Sequence, residues 1–145
     1  MKHVLIAEDD ADIALLLTEA VGERLYIATD VVANGALVSD TLGACRPDLL
    51  ILDVALPGFS GLDVFDLVRN ETRYHGVPIL FLTGSSEKAE TAFSLVGEHR
   101  VMSKPFEIDD LLHAVDEMVD GKIIGPQTEI SRVEAGVMPA AAATA

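Results

Sequence analysis

Tryptophan is missing from this chain, cysteine occurs once, and positive charge is scarce. A lone Cys45 excludes an intrachain disulfide, and nothing spaced like a zinc site accompanies it, so the expected compartment is the reducing cytoplasm. Only 10 Lys and Arg stand against 24 Asp and Glu, a formal net charge of −14. That balance opposes direct binding to nucleic acid or anionic lipid and points to proteins, small ions or cationic surfaces as partners. Long apolar runs are also lacking. The first, after Lys2 and His3, lasts four residues before acids interrupt it. That is far short of a signal-peptide core, and no run of roughly 18 apolar residues follows, so neither export nor membrane insertion is expected. What remains is 145 residues, half of them hydrophobic, enough for one domain with a real core.

Apolar or β-branched runs at 4–7, 26–32, 49–54, 78–82 and 100–103 read as strands. Between them lie stretches of helical period. Ile13, Leu16, Leu17, Ala20 and Val21 fall on one stripe, with Asp10 placed to cap the helix. Ile108, Leu111, Leu112, Val115 and Val119 repeat the spacing, and Asp109 and Asp110 stand in the first turn, where the helix dipole favours them. Helices over 37–45, 62–69 and 87–96 follow the turns at Asn34-Gly35, Pro57-Gly58 with Ser60-Gly61, and Gly84-Ser85-Ser86. Near-continuous apolar strands alternating with helices call for a parallel sheet covered on both faces, a doubly wound (βα)5 domain over residues 1–120. Residues 121–145, rich in Gly, Pro and Ala without a sustained period, read as a flexible tail or truncated linker.

In such sheets ligands sit beyond the carboxyl ends of the strands, where strand order reverses. Glu8, Asp9 and Asp10 follow the first strand. Adjacent like charges need open solvent or a cation. Asp53 ends the third strand, and if strands one and three are neighbours it faces Glu8 and Asp9. A hard divalent cation relieves that crowding, and Mg²⁺ suits it, taking one or two carboxylates with a backbone carbonyl and water. Thr83-Gly84 brings a hydroxyl donor to the same rim, and Lys104-Pro105 brings an ammonium.

These segments, "LIAEDD", "LLILDVALPGFSG", "ILFLTG" and "MSKPF", together resemble the receiver domain of two-component response regulators over roughly residues 1–120. The resemblance implies a flavodoxin-like sheet of strand order 2-1-3-4-5, as the family's fold has it. It implies that Asp53 accepts a phosphoryl group from the phosphohistidine of a sensor histidine kinase or a histidine phosphotransfer protein. Asp9 would hold Mg²⁺ directly and Glu8 mainly through water, with the Ala55 backbone carbonyl and Asp53 as further ligands. Thr83 and Lys104 would each bind a phosphoryl oxygen, and the Lys104-Pro105 bond would be cis. Lys104, so placed, is expected to matter more to the phosphorylated state than to folding. One position departs from the family: most receivers carry an aromatic three residues before this Lys, and here it is Val101.

Taken singly, Asp10 is a helix cap, Thr83 a strand-end residue and Lys104 a solvated charge; their order along the chain is what carries the resemblance. His3, His75, His99 and His113 show no ligand spacing, and Cys45 reads as a partly buried small residue. Phe93 and Val96 read as helix-to-sheet packing. A haloacid-dehalogenase-like phosphohydrolase needs a second Asp two residues after the first, where Ala55 stands. A flavodoxin-like FMN site needs a phosphate loop where Glu8, Asp9 and Asp10 would repel phosphate. A receiver-like scaffold that no longer takes phosphate is the third rival. The expectation is a stand-alone phosphoacceptor, without turnover of a separate substrate, that signals to a downstream target protein or along a phosphorelay.

Overall fold

The computed structural model describes residues 2–74, 76–84 and 100–120. The expectations for His75, His99, Phe93, Val96, the Ser85-Ser86 turn, the helix at 87–96 and the tail at 121–145 lie outside these residues. In chain order the elements are β1 (His3–Ala7), α1 (Ala11–Leu25), β2 (Ala28–Val32), α2 (Gly35–Ala44), β3 (Leu49–Asp53), α3 (Gly61–Asn70), a 3-10 turn (Thr72–Tyr74), β4 (Ile79–Thr83), β5 (Arg100–Ser103) and α4 (Ile108–Val119). The strands form one parallel sheet in the order β2-β1-β3-β4-β5. This is the flavodoxin-like arrangement that the resemblance implied.

Alternation along each strand divides the core in two. Val4, Ile6, Leu49, Ile51, Leu80 and Leu82 pack beneath α1 and α4, whereas Leu5, Ala7, Leu50, Leu52, Ile79 and Phe81 pack beneath α2 and α3. All twelve are fully buried, and each large one contributes about 1.5–3 kcal/mol through removal of apolar surface from water. Phe81 also meets Phe65 of α3 edge-on at 5.7 Å. β2 is different. It lies at the sheet edge with Ala28, Asp30 and Val31 exposed, so only its partner side is covered.

Helix starts follow the sequence closely. The Asp10 carboxylate accepts from the amides of Asp12 and Ile13, and Asn34 caps α2 by accepting from Leu37. Ser60 and Asp63 form a reciprocal capping box at α3. Three details depart from expectation. The buried stripe of α1 runs through Ala14, Leu17, Ala20 and Val21, which turns Leu16 outward to 46 % exposure. Tyr26 belongs to no strand: it takes the left-handed conformation, φ 57°, that terminates α1, and β2 begins two residues later. Cys45 is exposed, because it lies just past α2, where its amide closes on the Thr41 carbonyl and its side chain has left the packed face.

Candidate functional site

Four strands deliver one polar cluster. β1 ends at Ala7, and the Glu8 amide donates to the Val32 carbonyl of β2 at 3.0 Å, which keeps Glu8 at the sheet rim and buried. Asp9, next in the chain, is exposed. Asp53 is the last residue of β3, and the Ala55 amide donates to its Oδ1 at 2.9 Å. Thr83 ends β4, is buried, and lies in register with Ser103 of β5. Its carbonyl accepts from the Lys104 amide at 2.8 Å, which sets the start of the Lys104 side chain level with the other strand ends.

One carboxylate oxygen from each of Glu8, Asp9 and Asp53 lies within 4.8 Å of the others. The Lys104 ammonium joins them. It donates to Glu8 Oε1 at 2.7 Å and to Asp53 Oδ2 at 3.0 Å, while Glu8 Oε2 accepts from the Asp10 amide at 3.0 Å. Burial pushes the Glu8 carboxyl above its usual 4.5; the bonds from Lys104 and the Asp10 amide oppose that rise, and the Asp53 charge adds to it. For Lys104, burial pulls the pKa down, but the bonds to Glu8 and Asp53 outweigh it and the ammonium is held above 10.5. The resemblance implies a phosphoryl oxygen as the partner of Lys104. The structure gives it two carboxylate partners already.

Three formal negative charges against one positive leave two uncompensated at a rim made of hard oxygen donors. That set fits a small divalent cation with oxygen preference better than it fits zinc, because no His or Cys belongs to the group. The expected residues Glu8, Asp9, Asp53, Thr83 and Lys104 therefore all lie at one end of the sheet, and Ala55 bonds to Asp53 directly. The Lys104-Pro105 peptide is cis, as the resemblance implied.

Two residues were missed as parts of this region. A Cβ built on Gly61 would lie 2.5 Å from the Asp53 carbonyl oxygen and 2.7 Å from Val54 Cα, so the start of α3 rests on the end of β3 itself. One built on Gly35 would lie 1.7 Å from the Phe59 carbonyl oxygen. Sequence read both glycines only as turn residues. Their intervals to Asp53 carry no chemistry of their own, so nothing in the pattern announced a close approach.

A family model for the response regulator receiver domain matches residues 4–116. The DNA-binding response regulator MtrA of Mycobacterium tuberculosis is 33 % identical over 116 residues, which cover 79 % of this chain and 49 % of MtrA. The uncharacterized transcriptional regulatory protein YrkP of Bacillus subtilis is 38 % identical over 113 residues, 75 % of this chain and 46 % of YrkP. The chain thus spans about half the length of the curated relatives it matches. Among solved structures, the chemotaxis protein CheY4 of Vibrio cholerae superposes with a TM-score of 0.72 at 27 % identity, covering 81 % of this chain and 98 % of CheY4.

Proposed function

Because this chain belongs to the response regulator receiver family, we propose that Asp53 accepts a phosphoryl group from the phosphohistidine of a sensor histidine kinase or histidine phosphotransfer protein. The observation that carries this reading is the setting of Asp53. Its carboxylate closes β3 with one oxygen tied to the Ala55 amide and the other to the Lys104 ammonium. In the transfer an Asp53 oxygen bonds to phosphorus as the phosphorus–nitrogen bond breaks, and the donor imidazole departs with the electron pair and takes up a proton.

Phosphoryl transfer asks little covalent chemistry of the protein beyond the acceptor; positioning and charge neutralisation decide the rate. Lys104 would exchange a carboxylate partner for a phosphoryl oxygen, and the Thr83 hydroxyl would donate to another. Glu8, Asp9, Asp53 and the Ala55 carbonyl would hold Mg²⁺, which when bound offsets negative charge on the phosphoryl oxygens. The chain would assist its own phosphorylation and dephosphorylation without turning over a separate substrate.

Signalling then passes to a downstream target protein or along a relay. The mycobacterial relative is by name a DNA-binding regulator, but the match covers half of it, and the −14 charge of this chain argues against DNA contact by the matched segment. The reading is a receiver that acts by protein contact in the cytoplasm. No described helix is long and apolar enough to cross a membrane.

Incubation with acetyl phosphate and Mg²⁺, followed by intact mass, tests the proposal. One phosphoryl mass should appear, and Asp53→Asn should abolish it. Undiminished labelling of that variant would assign the acceptor elsewhere, and an unlabelled parent would favour a scaffold that takes no phosphate.

A further inference from the structure

The loop between Asp53 and α3 carries Ala55, and what holds that loop lies partly outside it. Gly61 anchors its far end against the Asp53 carbonyl and Val54 Cα, and the Gly61 amide donates to the Val54 carbonyl at 3.0 Å. Midway, the loop turns at Gly58, φ 78°, and then meets a different element. The Pro57 carbonyl accepts from the amides of both Phe59, at 3.0 Å, and Gly35, the first residue of α2, at 3.3 Å. Gly35 also approaches Phe59 so closely that a Cβ would lie 1.7 Å from its carbonyl oxygen and 2.6 Å from its carbonyl carbon. These are backbone atoms, which cannot swing aside as a side chain can.

Gly35 does not need to be glycine for its own conformation. It is the first residue of a capped helix, and its φ lies outside the left-handed range, where alanine would favour the helix. Space against Phe59 is the one requirement that the geometry imposes. Asn34 strengthens the point, since its side chain caps α2 onto Leu37 and fixes where that helix begins.

We propose that Gly35, on α2, is a positioning residue for the Asp53 site: its missing side chain lets α2 seat the 54–60 loop, and the loop in turn sets Ala55 against Asp53. This rests on the phosphoacceptor reading above. The atoms nearest a Cβ built on Gly35 belong to Phe59 and its amide donates to Pro57, so it acts through Pro57, Phe59 and Ala55. Alanine at 35 must push Phe59 outward, and the Ala55 amide bond to Asp53 Oδ1 must lengthen or turn.

The experiment compares the full chain with Gly35→Ala and with Val38→Ala, a fully buried residue of the same helix that faces the core. The Ala55 amide resonance of the metal-free protein, Mg²⁺ affinity by calorimetry, and the acetyl phosphate labelling rate are read on each. Gly35→Ala should move the Ala55 resonance and weaken Mg²⁺ binding by about tenfold or more, as loss of an outer support to a metal site does, and slow labelling alongside. Val38→Ala should lower thermal stability while leaving the Ala55 resonance and Mg²⁺ affinity near the parent. An unmoved Ala55 resonance with parental Mg²⁺ affinity in Gly35→Ala would overturn the proposal, as would an equal loss of affinity in Val38→Ala. An unlabelled parent would refute the phosphoacceptor reading alone, because resonance and Mg²⁺ affinity still report the positioning.

Discussion

Lys104 donates to Glu8 across 2.7 Å, joining the residue after β5 to the residue after β1, and the carboxylate it reaches is 1 % exposed. Lys104→Ala therefore strands a buried Glu8 beside Asp53. In metal-free protein the variant should lose about 1–3 kcal/mol, the cost of leaving a buried hydrogen-bonding group without its partner. Mg²⁺ should recover much of the loss by neutralising the same oxygens. Urea unfolding with EDTA and with Mg²⁺ measures both, and a variant as stable as the parent in EDTA would show that the two Lys104 bonds contribute nothing to the fold.

Glu8 gives the metal-free protein a pH dependence of definite sign. Its folded pKa is raised above 4.5 by burial, so between 4.5 and that higher value the folded chain binds more proton than the unfolded chain. Its contribution to stability therefore falls as pH rises through this window. Glu8→Gln removes the term. The stability of the variant minus that of the parent, from urea midpoints in EDTA, should grow from pH 4.5 upward and level off; a difference that shrinks with rising pH would contradict the assigned direction.

Asp9 is the exposed member of the acidic group and has no described hydrogen bond that folding depends on. Asp9→Asn should leave the metal-free melting temperature equal to the parent or higher, because one repelling charge is gone. The rise in melting temperature on adding Mg²⁺ should shrink, since a ligand stabilises the fold only to the extent that it binds the folded state. Differential scanning calorimetry reads both effects, and a lower metal-free midpoint would count against repulsion among these acids.

Strand number, parallel pairing and the common rim of Glu8, Asp9, Asp53, Thr83 and Lys104 were legible because each depends on local pattern: an apolar run, then a polar residue at its end. Leu16 and Ala14 were harder. Periodicity counts a leucine as core, yet the smaller Ala14 is the buried residue and Leu16 is left half exposed. Tyr26 reads as strand by propensity, but the chain needs a reversal there and takes it in a left-handed residue. The bonds from Lys104 to Glu8 and Asp53 join residues 96 and 51 positions apart. No local signal holds such a distance, and the same applies to Gly35 against Phe59.

Val101 sets the expectation for how a phosphoryl group on Asp53 would be sensed elsewhere in the fold. Its β-branched side chain packs partly buried on the α2 and α3 side of the sheet and has no long lever to swing. Gly84 follows Thr83, and a Cβ built on it would meet none of the described residues beyond its chain neighbours within 4 Å. Beryllofluoride should therefore shift backbone amides strongly over residues 83–88 and weakly over Arg100–Ser103. Residues 85–88 lie outside the described structure, so the amide spectrum is the direct measurement; large shifts centred on Arg100–Ser103 with a quiet 83–88 segment would reverse the assignment.

The strand order also bears on how the chain reaches its native state. β1 lies between β2 and β3, so the three strands of the first half of the chain are neighbours in the sheet. After that, β4 pairs with β3 and β5 with β4, each new strand adding beside the one just before it in sequence. Loop closure is shorter for such additions than for inserting a late strand into the middle of a sheet. The architecture thus permits growth from the amino terminus outward as the chain emerges during synthesis. Asp53 ends one of those first three strands, whereas Lys104, its ammonium partner, arrives with the last strand.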